Sequence, residues 1–379
     1  LLTVRLHAQN VNSIIIGSMA TAYYIGLVLG SMRIERLIMS VGHIRAFSGF
    51  ASMLAVMYLL HGLLENTWVW LGLRLLSGYA TAGLFVVIES WLLILGTIKT
   101  RGQILAVYMV TFYAAQAVGQ LLINIHTNNS LFLFILAAML SSLAVIPLTM
   151  TKIHSPEFEE VSYLSFKKLY NTAGSGVIGC FCGGLLLGAL YGLLPLFISQ
   201  KMGSTADVSI LMFMVIFGGM ALQYPVGRLS DIIERRSVLI GICSLAIAMS
   251  LVEHWFFHSL VESSIYIFLF GGLMFTIYPL CISHACDALE PKDIVAGTQG
   301  LLLAYGIGAM IGPVLAPVFM HLIGPNGLFI YFACVTSALF IFLSWRRVSV
   351  EPVPQEESFI AIPQTTPLTA ELDPRTDIK

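Results

Sequence analysis

Gly227-Arg228-Leu229-Ser230-Asp231-Ile232-Ile233-Glu234-Arg235-Arg236 is the stretch on which the fold turns. It gathers charge in a chain that has little elsewhere. An apolar run from Val208 to Val226 precedes it, and another from Ser237 to Leu251 follows. A helix needs ~20 largely apolar residues to cross the hydrocarbon core of a bilayer. The stretch is therefore read as the charged turn of a two-helix membrane hairpin.

The composition agrees. Of 379 residues, 58% are hydrophobic and 10% charged, whereas a soluble domain carries about a quarter charged residues. Such a chain cannot cover its own surface in water, so its solvent is the lipid bilayer. A net charge of −1 gives no electrostatic pull toward nucleic acid. Apolar runs fall near 12–32, 46–64, 68–95, 103–125, 130–150, 174–198, 207–227, 237–257, 262–286, 296–321 and 326–345, eleven spans in all.

Their orientation follows from lysine and arginine. Arg33, Arg36, Arg45, Lys99, Arg101, Lys152, Lys167, Lys168, Arg228, Arg235, Arg236, Lys292, Arg346 and Arg347 fall on one side, and only Arg5 and Lys201 on the other. The rich side is expected to be cytoplasmic.

A shift of 192 residues places Gly26 on Gly218 and Arg36-Leu37 on Arg228-Leu229. A shift of 193 places Gly119-Gln120-Leu121-Leu122 on Gly312-Pro313-Val314-Leu315. The near-common offset predicts two parallel halves. The expected division is an N-terminal bundle over 1–151, a cytoplasmic linker over 152–173, a six-helix bundle over 174–347 and a disordered cytoplasmic tail over 348–379. The second half has two spans up to the charged turn and the first half one. The first of twelve spans is therefore expected to be missing, with Leu1–Leu6 as its outer end.

The charged turn resembles the loop signature G-x-x-x-D-R-x-G-R-R of the major facilitator superfamily. Gly227, Asp231, Arg235 and Arg236 match, while Ile232 and Glu234 depart from it. The first-half copy keeps Gly42 and Arg45 but has Met39 where the acid would stand. Arg74-Leu75-Leu76-Ser77-Gly78 resembles the arginine motif of the superfamily's fourth helix. Phe85–Trp91, Arg101–Ala106, Tyr191–Leu196 and Tyr224–Leu229 are similar to the YcaD-like bacterial permeases. The resemblance implies an all-α polytopic membrane protein with the major facilitator fold, two pseudo-symmetric bundles and eleven of twelve spans present. It further implies a gate at Gly227, Arg228, Asp231, Arg235, Arg236, Gly42 and Arg45, with Asp231 meeting the positive N-terminal end of the helix that starts near Arg101.

Arg74 is the one cation well inside a span, and a charge there faces the bundle interior. It is read as a substrate or coupling site; a structural arginine capping backbone carbonyls is the other reading. Glu89 lies fifteen residues later on the same helix, about 60° away in azimuth and roughly 22 Å along the axis. The two can share a cavity but cannot pair. A carboxylate in an apolar site can take up a proton near neutral pH, which makes Glu89 the candidate proton carrier; a helix-end glutamate paired with Lys99 or Arg101 is the alternative. Tyr108, Gln116, Tyr191, Gln223, Tyr278, Gln299 and Tyr305 are candidates for the solute path, and equally for contacts between helices. Glycines spaced by four at 26/30, 184/188 and 308/312 suit close helix packing, and the resemblance implies rocking interfaces between halves.

The six cysteines lie in apolar runs without disulfide or zinc spacing and read as small hydrophobes. Two clusters, Glu253/His254/His258/Glu262 and Cys281/His284/Cys286/Asp287, match no four-ligand pattern. No metal, cofactor or catalytic residue is expected. The chain is expected to be a monomeric secondary active transporter of the bacterial inner membrane, moving a small solute by alternating access with protons as the coupling ion. A uniporter, and outside that class a membrane sensor or membrane-embedded enzyme, are the alternatives.

Overall fold

A computed structural model describes residues 2–95, 100–125, 131–150, 164–349 and 359–373. Lys99 and Lys152 lie outside the described residues, as does most of the expected linker. The described chain is helical, with no strand among the described residues. This is what a lipid solvent requires, since a helix satisfies every backbone group internally.

The first half comprises α1 (Leu2–Ala8), α2 (Ser13–Val41), α3 (His43–Leu63), α4 (Thr67–Leu95), α5 (Arg101–Leu121), α6 (Phe132–Leu143) and α7 (Val145–Thr149). The second comprises α8 (Phe166–Met202), α9 (Thr205–Ile232), α10 (Arg235–Val252), α11 (Leu260–Cys286), α12 (Ile294–Ile323) and α13 (Gly327–Ser349). Eleven spans among the described residues are long and apolar enough to cross a membrane, with α6 and α7 forming one of them. The break between those two falls after Leu143, whose carbonyl loses a helical donor because Pro147 has no N–H.

Two boundaries differ from the sequence expectation. The last residues of the expected linker are helical, because α8 begins at Phe166 and carries a kink at Ala173. Leu169 supplies the reason: it is buried and lies against Gly300 of α12, where a methyl group would come within 2.5 Å of its side chain. The charged turn is also shorter than its signature. Helix α9 runs on to Ile232, so Gly227, Arg228 and Asp231 ride its last turns and only Ile233–Glu234 reverse the chain. The copy in the first half reverses at Gly42, whose φ of +87° a side chain would resist.

The internal repeat is visible as geometry. In the first half, a methyl group at Gly26 would lie 1.9 Å from the Leu75 carbonyl oxygen, and one at Gly78 2.0 Å from that of Tyr23. In the second half, Gly218 meets the Phe268 carbonyl at 1.9 Å and Gly271 meets that of Val215 at 2.2 Å. Helices α2 and α4 thus touch backbone to backbone just as α9 and α11 do. Gly184, Gly188, Gly308 and Gly312 likewise join α8 to α12 within the second half. Gly26, Gly30, Gly184, Gly188, Gly308 and Gly312 therefore pack inside a half, whereas Gly306 meets Val28 and Pro313 meets Gly17 across the halves.

The halves meet along α2 with α12 and along α5 with α9. Two ends are distinguished below: the basic end, rich in lysine and arginine, and the far end.

The tail departs most from expectation. Residues 359–373 form an irregular segment leading into a 3₁₀ turn, Pro367–Leu372. Ile362, Thr365, Thr366, Leu368, Thr369 and Asp373 are buried. A segment expected to be disordered is packed, because its polar side chains find partners inside the bundle.

Candidate functional site: a vestibule between the halves

The far end is shut. The Thr21 hydroxyl donates to the Met310 carbonyl (2.7 Å), Thr3 to that of Gly192 (3.3 Å), and Ser209 to that of Gln120 (2.6 Å). Each bond joins one half to the other. A methyl group at Gly17 would stand 1.9 Å from the Pro313 carbonyl oxygen, so α2 and α12 are in backbone contact there too. Toward the basic end the tail segment 359–373 lies between the halves, bonded to Asp231 of α9 and to Glu89 of α4, and the space it fills is called the vestibule below.

Glu89 sits in the last two turns of α4, and it is fully buried. Its Oε1 accepts from the Tyr108 hydroxyl of α5 at 3.0 Å. Its two oxygens also accept from the hydroxyls of Thr365 and Thr366 of the tail. The alternative pairing with Arg101 does not occur, and Lys99 is outside the described residues. A buried carboxylate that is met by hydroxyls can exchange a proton without breaking an ion pair.

Arg74 stands nearer the far end of the same helix. Its Nε donates to the Met19 carbonyl at 3.3 Å, and its guanidinium lies 4.4 Å from the Tyr23 ring centroid. Both contacts are to α2, and Tyr24 and Tyr58 stand close enough to act on its charge. No carboxylate among the described residues pairs with it. The cation is held by one ring face and one backbone carbonyl, the kind of contact that the structural reading expected.

Between these two ionic sites lies a band of aromatic and amide groups. The Tyr191 hydroxyl donates to Gln116 Oε1 at 3.1 Å, linking α8 to α5 across the halves. The Phe275 ring lies 5.8 Å from that of Tyr113 and 5.6 Å from that of Tyr191. Tyr278 and Tyr305 have ring centroids 4.8 Å apart, and Tyr305 reaches Tyr24 across the halves. Tyr113 stands beside Gln223 and beside Gln364 of the tail. Of the expected path residues, Gln299 is the one left aside: it is half-buried near the start of α12 and meets none of the others.

The gate residues separate into two groups. Arg235 is buried, donating to Asp287 Oδ1 at 2.6 Å and to the Ser283 carbonyl at 3.1 Å, so it ties α10 to α11. Arg236 donates to the Arg346 carbonyl of α13 at 3.2 Å. Arg228 and Arg45 are exposed. Asp231 accepts from Arg235 at 3.4 Å and from the Phe359 backbone N–H at 2.6 Å. It thus meets the tail, whereas the resemblance implied the first turn of α5. Asp287, grouped in sequence with a weak metal cluster, is instead the ion-pair partner of Arg235.

Sequence reasoning passed over Tyr23, Tyr24 and Tyr58 around Arg74, and Gln364, Thr365 and Thr366. The tyrosines carried a usable signal, since an intramembrane arginine needs electron-rich neighbours. The tail residues carried none, because threonine and glutamine beside prolines read as polar linker.

Comparisons with known proteins complete the picture. A family profile described as Major Facilitator Superfamily matches residues 2–301 and 176–372. A protein of Escherichia coli described as uncharacterized MFS-type transporter YcaD is 31% identical over 342 residues, covering 89% of this chain and 88% of its own length. The crystal structure of a mutant of the nucleoside transporter NupG superposes with a TM-score of 0.74 at 13% identity, covering 91% of this chain and 94% of that one. A bacterial homolog of the human lysosomal transporter Spinster, solved inward-facing and occupied, superposes with a TM-score of 0.70 at 14% identity, covering 92% of each chain. At such identities the solved structures speak for the fold.

Proposed function

The chain belongs to the major facilitator superfamily and is a membrane transporter rather than an enzyme, and from that premise we propose that it is a proton-coupled secondary transporter of a small solute. In this reading it sits in the bacterial inner membrane with its basic end cytoplasmic. The solute enters the vestibule between the halves, passes the Tyr113–Phe275–Tyr191 band, and leaves when the far end opens and the basic end closes. Glu89 carries the proton, and Arg74 is the fixed cation that favours an anionic or electron-rich solute.

One observation carries the coupling. Glu89 is a fully buried carboxylate at the junction of the halves whose partners among the described residues are hydroxyls. A carboxylate needed only for helix packing would be expected to hold a cation or a backbone N–H. Here protonation removes the charge without stranding a counter-ion, so either state of the cycle can carry it.

The test begins with a proteoliposome screen of radiolabelled metabolites under an imposed pH gradient. For the solute found, Glu89→Gln abolishes gradient-driven accumulation while leaving exchange down the solute's own gradient. Unchanged accumulation in Glu89→Gln would overturn the coupling role and leave a uniporter.

A further inference from the structure

The segment 359–373 occupies the vestibule as a ligand occupies a site. On the second half, the Phe359 backbone N–H binds Asp231, and its ring rests on Gly227, where a methyl group would come within 2.2 Å of it. The Ile360 carbonyl faces the Ser283 hydroxyl at 3.5 Å, and Ile362 is buried in the apolar core to which both halves contribute. On the first half, Gln364 stands beside Tyr113, and Thr365 and Thr366 bind the two oxygens of Glu89. Leu368 enters the apolar cluster of Ile34, Ile38, Phe47 and Trp91. The 3₁₀ turn packs against α4, α5 and α12 and is closed by the Thr369 hydroxyl on the Thr366 carbonyl at 2.8 Å.

This is a graded recognition surface. One backbone N–H, two hydroxyls, an aromatic ring on a glycine and a leucine in an apolar slot each have a matching receptor group. The receptor groups come from both halves, so the segment bridges them. Because α13 ends at the basic end, the segment is tethered beside its site at an effective concentration on the order of millimolar.

We propose that the vestibule is a binding site for the chain's own segment 359–373, which acts as a tethered plug. The plug holds the far end shut in two ways. It keeps the halves apart at the basic end, and it takes both Asp231 and Glu89, the groups on which gate closure and coupling would draw. The transporter cycles only when the segment leaves. A peptide of the same pattern supplied from outside competes for the same site. The plug rests on geometry alone and stands whether or not Glu89 carries protons.

Two readouts test it, neither using transport. A fluorescein-labelled peptide of residues 359–373 is titrated against the chain ended after Ser349 and against the full chain, both in detergent, with a scrambled peptide as control. The truncated chain binds the peptide roughly tenfold or more tighter than the full chain does, since the site is filled in cis, and replacing both threonines by valine weakens binding roughly tenfold or more. Equal binding to both chains, or equal binding of the scrambled peptide, overturns the proposal.

Should truncation impair folding, the full chain answers the question. Carbodiimide modification of Glu89, read by peptide mass spectrometry, is slow in the full chain and roughly tenfold or more faster in the Thr365→Val, Thr366→Val double variant. An unchanged rate in a variant that elutes as a folded species overturns the plug. Loss of coupling in Glu89→Gln together with an unchanged modification rate in the threonine double variant would keep the coupling role and overturn the plug, so the two proposals fail separately.

Discussion

Gly26 faces the Leu75 carbonyl in the first half as Gly218 faces the Phe268 carbonyl in the second, each at 1.9 Å from where a methyl group would sit. The same contact, made twice at offsets of 192 and 193, is the strongest structural trace of the repeat. It also sets how closely α2 approaches α4 and α9 approaches α11. Small residues allow this approach, and in lipid it is packing rather than water exclusion that holds helices together.

Gly26→Ala and Gly218→Ala each push a helix pair apart against backbone, which does not yield. Each is expected to cost about 1–3 kcal/mol, as overpacking does. Thermal unfolding in detergent checks this. Gly49→Ala and Gly241→Ala, with nothing within 4 Å of the added methyl, are the controls and should unfold with the parent chain.

Arg235 and Asp287 form a buried pair, 1% and 3% exposed. Removing one partner breaks a buried ion pair, so Arg235→Ala is expected to cost about 3–5 kcal/mol. Arg235→Lys keeps the charge but cannot reach Asp287, the Ser283 carbonyl and Asp231 together, and should fall between. Equal stability of the lysine variant and the parent would show that the fork geometry is idle.

Tyr191→Phe deletes a hydroxyl that ties α8 to α5 across the halves. The expected cost is about 0.5–1.5 kcal/mol. It should fall on the closure of the far end, so that hydrogen exchange of residues 116–124 speeds up while that of α11 does not.

Arg74→Lys preserves charge and loses the planar contact with Tyr23. Uptake of the solute identified by the screen should drop by about tenfold, with little change in thermal stability. Parent-like uptake would take Arg74 off the solute path.

Glu253 lies beyond the end of α10, buried, with Oε2 lacking a hydrogen-bond partner among the described residues. Burial pushes its carboxyl above the usual carboxylate range, with the Lys201 charge opposing. A raised folded-state pKa means that the folded chain holds the proton more tightly than the unfolded one. Its contribution is full below the ordinary carboxylate pKa and is lost as the pH rises through the raised one. Glu253→Gln should therefore match the parent at pH 4 and become the more stable chain toward pH 8, by on the order of 1 kcal/mol. A gap that shrinks with rising pH would contradict this.

Much was legible in the residues alone. The spans from Ser13 onward, the uneven split of lysine and arginine, the offset joining Gly26 to Gly218, and the family all follow from local hydropathy, charge and spacing. Lipid imposes these rules on every short stretch independently, which is why short stretches suffice to read them. Arg74 and Glu89 stood out for the same reason, since a charge in an apolar run is a local anomaly.

What the tertiary structure alone decided is which groups those charges meet. Asp231 binds the tail backbone, Arg74 rests on Tyr23, and Glu89 is met by hydroxyls 276 and 277 residues away. The segment 359–373 mixes apolar residues such as Ile360, Ile362 and Leu368 with threonines and prolines, and at this length it builds no core of its own. Its order comes from donors and acceptors that face into the vestibule from both halves, and such complementarity exists only once the helices have assembled. Burial of an apolar helix is a property of its own residues, whereas burial of this irregular, partly polar segment is a property of its partners.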